Sequence, residues 1–277
     1  MNLIDGKAIA DEIKIELKNK IIPLDPKPGL AIILIGNDEA SKLYVSLKHK
    51  ACHEINMDFH SYLFPANAPE KDILETIDFL NKDPEVNGIL VQLPLPPNFD
   101  EAKIIQAIDS KKDVDGFHPV NLELIEKNQP YIIPPLTRSI LKMIESTGEN
   151  VKDKNTVIIG NSDVFYRPLA VILKQMGANT SFCQPDAQNL NSEVKKADIL
   201  IVAVGRPDFI TKEMIKKDSL IIDIGTNHVN GKTVGDVNPN VDEICAFRSP
   251  VPGGVGPVTV AMLLQSTFDL YNKQNNK

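Results

Sequence analysis

Apolar residues form two patterns that alternate along the chain. Short continuous runs rich in Ile, Val and Leu have strand length, and longer segments have the three- and four-residue apolar spacing typical of helices. The predicted strands cover residues 29–36, 58–64, 88–93, 156–160, 180–183, 198–204 and 219–224. The predicted helices cover residues 8–22, 38–55, 69–81, 101–108, 137–146, 169–176, 192–197 and 258–271. This order predicts an α/β protein with parallel strands covered by helices.

The strand–helix–strand pattern occurs twice, which predicts two domains, and 277 residues are enough for both. The first is predicted to comprise residues 1–138 and the last helix, about 258–277, which is long and amphipathic enough to pack back on it. The second, residues 139–257, begins with a strand, a glycine and a helix followed by short βα units. That order is typical of the Rossmann-like doubly wound parallel sheet.

Composition and charge narrow the classes of function. The chain is 42% hydrophobic and 24% charged, as globular proteins are, and its formal charge of −7 argues against a nucleic-acid partner. No apolar run approaches the ~20 residues that span a bilayer, and the amino end lacks the features of a signal peptide. The three widely spaced cysteines favour free thiols over disulfides or a metal site. We therefore expect a cytoplasmic protein without a membrane partner.

Tyr44 and Lys48 are the first candidate chemical groups, because residues four apart on a helix share a face. A lysine drawn into a partly closed pocket can transfer protons near neutral pH, although most helical lysines are simply solvated. The same spacing marks short-chain dehydrogenases, but there it follows the dinucleotide-binding segment and here it precedes it. The predicted apolar face of this helix comprises Leu43, Leu47, Ala51 and Ile55.

Polar residues at the end of the third predicted strand and in the turn beyond it suggest a substrate pocket. Gln92 ends that strand at the mouth of the sheet, where its amide would hydrogen-bond the Lys48 amine. Asp115 suits the paired N–H and amino donors of a pterin or purine, or else makes a local Asx-turn. Asp113 and His118 are expected to shape the turn rather than to react.

Two glycine-containing segments suggest close approach of the backbone to ligands. Gly160-Asn161-Ser162 lies between a strand and a helix, so its N–H groups can face phosphate. This fingerprint is incomplete, because the usual third glycine is missing and Phe165-Tyr166-Arg167-Pro168 stands there. The segment 250–257, Pro-Val-Pro-Gly-Gly-Val-Gly-Pro, is too rich in glycine and proline for a simple connection before the last helix.

Five segments in the same order carry a resemblance to a known family: Tyr44-x-x-x-Lys48, Gly88-Ile-Leu-Val-Gln92-Leu-Pro-Leu-Pro, Lys112-Asp-Val-Asp115-Gly-Phe-His-Pro, Asp223-Ile-Gly225 and Pro250-Val-Pro-Gly-Gly-Val-Gly-Pro257. The chain resembles the bifunctional methylenetetrahydrofolate dehydrogenase/methenyltetrahydrofolate cyclohydrolases. The resemblance implies a cytoplasmic homodimer of one-carbon metabolism and purine biosynthesis. It implies an N-terminal folate-binding catalytic domain, a C-terminal NAD(P)-binding domain and a folate cleft between them. It also implies oxidation of 5,10-methylenetetrahydrofolate by hydride transfer to a nicotinamide, followed by hydrolysis to 10-formyltetrahydrofolate.

The resemblance also implies roles for residues that match its motifs. Lys48 is the catalytic proton-transfer residue, assisted by Gln92, while Tyr44 lies along the aminobenzoyl ring and Asp115 binds the pterin. The turn Pro252, Gly253 and Gly254 lines the folate site. The implied cofactor-binding residues are Gly160, Asn161, Ser162, Arg167, Pro168, Asp186, Gly205 and Thr226. No metal is implied.

Two departures from the family pattern concern the cofactor. The family usually has Arg at the position of Asn161 and His-Ser-Lys/Arg-Thr at that of Gln184-Pro185-Asp186-Ala187, and both serve the 2′-phosphate of NADP. The resemblance therefore implies NADP, whereas Asn161 and Asp186 predict a weakened preference for NADP or a switch to NAD. An acid at this place hydrogen-bonds the ribose diol of NAD and repels a 2′-phosphate. Arg167 is a candidate replacement for the missing cation.

A bolder prediction follows from Tyr166, which replaces the third glycine, and from Pro135-Leu136-Thr137, which stands where the family has Pro-Cys-Thr-Pro. If Tyr166 narrows the approach of the pyrophosphate, the chain is a cyclohydrolase with weak or lost dehydrogenase activity. Two other classes share parts of the pattern. A shikimate-type or amino-acid dehydrogenase would share the architecture, and a non-catalytic folate- or nucleotide-binding module would have no use for Lys48.

Overall fold

The computed structural model describes residues 2–161 and 163–275, and the chain divides into two compact units. The N-terminal unit, as we call it, comprises Asp11–Pro135 and the carboxyl-terminal segment from Val260. The C-terminal unit comprises Leu136–Thr259 and the amino-terminal segment through Ala10. Within the described ranges, no helix combines the length and the apolar character needed to cross a membrane.

Strands and helices alternate from residue 2 to residue 107 and from residue 155 to residue 203, as the apolar pattern predicts. Between these stretches helices follow one another, and beyond residue 203 strands do. The strands are β1 (Asn2–Leu3), β2 (Gly29–Ile35), β3 (Asp58–Phe64), β4 (Gly88–Val91), β5 (Asn155–Gly160), β6 (Asn179–Cys183), β7 (Ile199–Ala203), β8 (Leu220–Asp223), β9 (Asn227–Val229), β10 (Lys232–Val234) and β11 (Phe247–Arg248). The helices are α1 (Gly6–Ile21), α2 (Glu39–Glu54), α3 (Glu70–Lys82), α4 (Glu101–Ala107), α5 (Pro119–Glu126), α6 (Pro135–Ser146), α7 (Asp163–Gln175), α8 (Leu190–Val194) and α9 (Val255–Asn275), and a 3-10 helix covers Pro239–Glu243.

The N-terminal unit is built on a three-stranded parallel sheet in the order β3-β2-β4. Every residue of the central strand β2 is buried, and its unbroken apolar sequence suits a strand that is covered on both faces. Ala31 and Ile33 of β2 share one core with Ile73 and Ile77 of α3, whose four-residue spacing puts them on one side of the helix. Full burial of each isoleucine contributes roughly 1.5–3 kcal/mol. This packing fixes the carboxyl ends of β2 and β4, where the candidate site begins.

The buried face of α2 differs from the predicted one. The prediction is wrong at Leu43 and Leu47, which are 57% and 45% exposed. A strict four-residue spacing drifts about 40° around a helix with each step, because a turn takes 3.6 residues. Alternating steps of four and three residues stay on one side. The inward row has that spacing and comprises Ser41, Val45, Lys48, Cys52 and Ile55.

Lys112 is a buried lysine whose side chain reaches the carboxyl end of α3. Its Nζ donates hydrogen bonds to the carbonyl oxygens of Leu80, at 2.9 Å, and Asp83, at 2.6 Å. The last carbonyls of a helix have no partner within the helix and carry partial negative charge, so a cation there satisfies both needs. Lys112 thus fastens the segment that leads to Asp113 and Asp115 onto the end of α3.

We expect Lys112→Met to lower the free energy of unfolding of the N-terminal unit by about 2 kcal/mol, because buried carbonyls lose their charged donor. The matched control is Lys111→Met, since the neighbouring Lys111 is exposed. Urea denaturation of both variants, followed by circular dichroism, measures the difference. Equal midpoints for the two variants would contradict a fastening role for Lys112.

The C-terminal unit is built on a six-stranded sheet in the order β1-β11-β8-β7-β5-β6, and every neighbouring pair is parallel. Its central strands β5, β7 and β8 are almost entirely buried. The neighbours of β5 are β6 and β7, which is the arrangement at which doubly wound sheets bind nucleotides. The Rossmann-like architecture predicted for this half is confirmed.

The two ends of the chain depart from a simple division into halves. The segment through Ala10 lies in the C-terminal unit rather than in the first domain, because Asn2 and Leu3 pair with Phe247 and Arg248. A two-residue strand has no periodicity by which sequence could reveal it. The chain from Val260 is part of the N-terminal unit, where Asn87 Nδ2 donates to Gln274 Oε1 at 2.9 Å.

Candidate active site

Lys48 and Gln92 form a direct hydrogen bond in the N-terminal unit. Lys48 Nζ donates to Gln92 Oε1 at 2.8 Å. The Gln92 backbone N–H donates to the Ile33 carbonyl at 2.8 Å, and its Nε2 donates to the Leu93 carbonyl at 2.7 Å. The amide nitrogen therefore has its own acceptor, and the amide oxygen is left to receive the lysine. The predicted contact between Lys48 and Gln92 is present.

The surroundings of Lys48 favour its neutral form more than water does. Burial lowers the pKa of Lys48, and the negative charge of Asp115 only partly offsets that effect. The nearby Cys52 thiol stays protonated at neutral pH, because burial raises its pKa to about 12. An amine whose pKa moves towards neutrality can both accept and donate a proton during turnover.

Asp113 shapes the turn that carries Asp115. Its Oδ1 accepts from the Gly116 N–H at 3.0 Å, and its Oδ2 accepts from the His118 N–H and from Asn121 Nδ2, both at 2.8 Å. Gly116 has a φ of +72°, which glycine adopts without strain. His118 Nδ1 accepts from the Val120 N–H at the start of α5. Asp113 and His118 thus have the turn-shaping role that the sequence predicts.

Asp115 differs from Asp113 in having no hydrogen-bond donor directed at its carboxylate among the described residues. Burial raises its pKa to about 6, the Lys48 charge opposes that shift, and Asp113 adds to it. The side chain lines a small cavity together with Val91 and Leu93. A desolvated carboxylate with unused acceptor sites suits a ligand that brings its own N–H donors.

Tyr44 lies one helical turn before Lys48 and is 39% exposed. Its ring is therefore available to stack against a flat ligand that reaches the Lys48 amine. The residue pair has the geometry that four-residue spacing predicts. The predicted contact of Tyr44 with the aminobenzoyl ring stays a prediction.

The predicted cofactor-binding residues of the C-terminal unit meet at the carboxyl edge of its sheet. Gly160 and Asn161 end β5, and Asp186, Gly205 and Thr226 follow β6, β7 and β8. Parallel neighbouring strands bring these ends together. Ser162 lies outside the described residues. Arg167 and Pro168 lie in α7.

Tyr166 covers the face of Gly160. A Cβ atom at Gly160 would lie 1.8 Å from the Tyr166 hydroxyl oxygen, so only glycine fits beneath this ring. The hydroxyl donates to the Ala203 carbonyl at 2.8 Å, and the ring packs against that of Phe182 with centroids 5.3 Å apart. The ring thereby occupies space between the carboxyl ends of β5 and β7.

Asn161 bridges the same two strand ends. Its Nδ2 donates to the Val204 carbonyl at 3.0 Å. The amide at this position therefore ties two loops together, and it brings no positive charge to the edge. The structure gives a local reason for asparagine that is independent of the cofactor.

Asp236 organises the loop after β7. Its carboxylate accepts three successive backbone N–H groups, from Val204 at 2.6 Å, Gly205 at 3.0 Å and Arg206 at 2.9 Å, and also accepts from Asn227 Nδ2 at 2.8 Å. The Asp236 N–H in turn donates to the buried Asp223 carboxylate at 3.1 Å. Two loops that carry predicted cofactor-binding residues, Gly205 and Thr226, are thus held through one carboxylate.

Asp186 forms an ion pair with Arg206. Arg206 Nη1 and Nη2 donate to its two carboxylate oxygens at 2.7 and 2.9 Å. This ion pair lowers the pKa of Asp186. Asp186 is exposed rather than buried, and its charge is balanced by Arg206. Its predicted contact with the ribose diol of NAD stays a prediction.

The Pro252-Gly253-Gly254 turn has a backbone that requires glycine. Gly253 has a φ of +99°, and a Cβ at Gly254 would lie 2.4 Å from the Pro250 carbonyl oxygen. The turn is therefore compact and presents main chain in place of side chains. Its predicted place beside the folate stays a prediction.

Sequence reasoning missed Arg206, Asp236 and Asn227. Asp236 follows a glycine in the segment Val234-Gly235-Asp236, which was the one available signal of a special turn. Asp223 belongs to one of the five family segments, but the sequence gives it no separate role. In the structure it accepts from the Val237 N–H at 3.0 Å, and burial raises its pKa to about 6.

The fold and the candidate site together define a class of protein. The N-terminal unit carries a lysine–amide–carboxylate cluster and the C-terminal unit a Rossmann-like sheet, which together are typical of a nucleotide-dependent enzyme of two α/β domains.

Comparison with known proteins identifies the family. Residues 4–115 match the model of the tetrahydrofolate dehydrogenase/cyclohydrolase catalytic domain, and residues 134–275 match that of the family's NAD(P)-binding domain. The chain belongs to the tetrahydrofolate dehydrogenase/cyclohydrolase family. It is 41% identical over 273 residues to the bifunctional protein FolD of Ruthia magnifica, covering 98% of this chain and 99% of that one.

Solved structures of the family superpose on the whole chain. The bifunctional FolD dehydrogenase/cyclohydrolase of Campylobacter jejuni is 38% identical, with a TM-score of 0.96 and 99% of each chain covered. The Trypanosoma brucei dehydrogenase-cyclohydrolase, solved with NADP and an inhibitor, is 31% identical, with a TM-score of 0.94, and 98% of this chain and 97% of that one are covered. The predicted family is confirmed.

Proposed function

We propose that this chain oxidises 5,10-methylenetetrahydrofolate to 5,10-methenyltetrahydrofolate and hydrolyses that product to 10-formyltetrahydrofolate. The observation that carries the proposal is the 2.8 Å hydrogen bond from Lys48 to Gln92, together with the Asp115 carboxylate, which interacts electrostatically with Lys48 and accepts no hydrogen bond from the part of the chain that the structure describes. Family membership supports both activities. In this proposal Lys48 transfers protons and Asp115 accepts from the pterin, and both residues lie in the N-terminal unit.

In the oxidation the methylene carbon, already stabilised by two nitrogens, loses a hydride. NAD(P) supplies the hydride acceptor when it is bound. The chain has mainly to orient the folate, for which Asp115 accepts pterin N–H donors and the Tyr44 ring lies against the aminobenzoyl group. Exposure of Tyr44 and the unused acceptor sites of Asp115 support these roles.

In the hydrolysis water adds to the methenyl carbon and the bond from that carbon to N5 breaks. Lys48 accepts a proton as the water oxygen bonds to the carbon, and returns one to N5 as the carbon–nitrogen bond opens. The second water proton passes to bulk water as the carbon–oxygen double bond of the formyl group forms, which balances the positive charge of the methenyl substrate. Gln92 holds the Lys48 amine in place for both transfers, and the lowered pKa of Lys48 favours the neutral form that accepts first.

We expect Asp115→Asn to raise the KM for the folate by about ten- to a hundredfold, because a charged acceptor of pterin N–H groups is lost. In the unaltered chain the same KM should rise as the pH falls through about 6, where the Asp115 carboxylate takes up a proton. The variant should lack that dependence. The control is Asp78→Asn, an exposed acid paired with Lys82. A KM that is independent of pH between 5 and 7 in the unaltered chain would contradict the assignment.

The fit of a dinucleotide to the C-terminal unit rests on the residues at the carboxyl edge of its sheet. Gly205 has a φ of +70° and open space around it, and the Asp186–Arg206 pair stands at the end of β6. These features suit the adenosine half of NAD(P). NADP follows from the family resemblance and NAD from Asn161 and Asp186, and we propose that NAD(P) binds here.

A second candidate function has one observation in its favour. Tyr166 fills space at the end of β5, where doubly wound proteins place the pyrophosphate. On this ground the alternative is a cyclohydrolase with weak or lost dehydrogenase activity.

One assay separates the two candidates. Methenyl absorbance is followed after addition of methylenetetrahydrofolate with NADP, with NAD or with no cofactor, and methenyl hydrolysis is measured in parallel. Turnover with either cofactor, together with hydrolysis, supports the bifunctional enzyme. Hydrolysis alone supports the second candidate, and neither activity contradicts both.

We also propose that the chain works in the cytoplasm as a homodimer that supplies one-carbon units to purine biosynthesis. Support for the dimer comes from the edge strand β3, on which Leu63 is 68% exposed. Light scattering at micromolar concentration tests it, and a mass of one chain at that concentration would contradict it.

A further inference from the structure

Arg206 and Asp186 form a two-pronged ion pair at the nucleotide-binding edge. Both carboxylate oxygens accept from the guanidinium, at 2.7 and 2.9 Å. The side chains keep 46% and 78% of their surface exposed. The guanidinium carbon also lies 5.7 Å from the centroid of the Phe209 ring. The pair is therefore ordered but open to a ligand.

Its place in the sheet matches one part of a bound dinucleotide. Asp186 follows β6 and Arg206 follows β7, and these strands lie on either side of β5. In doubly wound sheets an acid after the second strand contacts the adenosine ribose, and a nearby arginine accommodates a 2′-phosphate. The Arg206 backbone N–H donates to Asp236 at 2.9 Å, so the base of this side chain is fixed.

The positive charge at this edge lies in a different loop from position 161, where the family usually has arginine. Position 161, directly after β5, carries an amide that is committed to the Val204 carbonyl. Arg206, in the next loop of the sheet, brings a guanidinium to the same edge. Its planar fork matches a phosphate as well as it matches a carboxylate.

We propose that Arg206 and Asp186 act as a pair that reads the 2′ position of the cofactor's adenosine ribose. With NADP, Arg206 leaves Asp186 and binds the 2′-phosphate through two N–H donors. With NAD, Asp186 accepts the ribose hydroxyls. An exposed ion pair is held weakly, so either exchange is accessible. This assignment rests on the proposed dehydrogenase function and deepens it, because the chain then accepts both cofactors through opposite members of one pair.

The test uses 2′,5′-ADP and 5′-AMP, which differ only in the 2′-phosphate, with affinities measured by calorimetry. Arg206→Gln should weaken 2′,5′-ADP by about tenfold or more relative to 5′-AMP, since a charged bidentate contact is lost. Asp186→Asn should instead strengthen the binding of 2′,5′-ADP relative to that of 5′-AMP. In the dehydrogenase assay, the ratio of kcat/KM for NADP to kcat/KM for NAD should fall in Arg206→Gln and rise in Asp186→Asn, as the affinity ratio of the two probes does.

The matched control is Lys212→Gln, which removes an exposed ion pair of the same unit, Lys212 with Glu243 at 2.7 Å, and should leave the ratio unchanged. Arg206→Gln and Lys212→Gln should have the same midpoint of thermal unfolding, which would verify that Arg206→Gln is folded. An unaltered probe ratio in Arg206→Gln, with both probes still bound, overturns the pair assignment alone. Failure of the unaltered chain to bind either probe overturns it together with the dehydrogenase function.

Discussion

Replacing Lys48 with methionine will slow methenyltetrahydrofolate hydrolysis by about a hundredfold to ten-thousandfold, the contribution typical of a positioned general acid–base group. Methionine keeps the length and the apolar stem, and removes the amine that donates to Gln92 Oε1. The fold should therefore survive while proton transfer is lost. The decay of methenyl absorbance measures the rate, and equilibrium binding of the folate separates chemistry from affinity.

Two further variants give the Lys48 result its meaning. Lys50→Met alters an exposed lysine of the same helix and should retain the full rate. Lys48→Arg keeps the positive charge but cannot lose its proton, so it should be about as slow as the methionine variant. Full activity of Lys48→Arg would show that charge rather than proton transfer matters. Full activity of Lys48→Met would favour a non-catalytic binding module.

The hydrolysis rate of the unaltered chain should rise with pH towards the lowered pKa of Lys48, because the neutral amine accepts the first proton. Lys48→Met should lack that dependence. The pH profile is therefore a second readout of the same residue, independent of the size of the rate loss.

Replacing Asp236 with alanine will lower the free energy of unfolding of the C-terminal unit by about 3 kcal/mol or more. Three successive N–H groups, from Val204, Gly205 and Arg206, lose their acceptor together. Each buried donor left without a partner costs about 1–3 kcal/mol, and the groups of one network do not act independently. Urea denaturation followed by circular dichroism measures the loss.

The Asp236 variant should also bind NAD(P) more weakly, because the loop that carries Gly205 and Arg206 is no longer fixed. Hydrolysis at Lys48, which lies in the N-terminal unit, should continue at temperatures below the transition. The control is Glu193→Ala, which removes a half-buried acid that is paired with Lys196 and takes no part in the Asp236 network. An Asp236→Ala protein as stable as Glu193→Ala would contradict the network described here.

The Lys48–Gln92 contact could be predicted because two regular elements place its ends. Helical spacing fixes which side of α2 carries Lys48, and the end of an apolar strand fixes Gln92. The four-residue row that includes Leu43 and Leu47 nevertheless predicts the wrong buried face, because four residues turn further than one full turn of 3.6 residues.

The contacts that sequence could not predict lie in loops. Arg206 meets Asp186, and Asp236 meets the loop after β7, through backbone directions that no periodicity encodes. Short elements are not predicted from the sequence for a related reason. The two-residue strands β1 and β11 are too short for a pattern, and α5 begins at Pro119 after His118, an uncommon helix cap.

The contact between Tyr166 and Gly160 makes the two positions epistatic. With the ring in place, a Cβ at position 160 would collide with it, so alanine there requires the Tyr166 ring to shift or position 166 to change. In the opposite order, glycine at position 166 removes the donor to the Ala203 carbonyl and empties the space the ring filled. Each substitution therefore changes the sign or size of the other's effect. Any laboratory route from this nucleotide edge to one with a glycine at position 166 has to explore the two sites jointly.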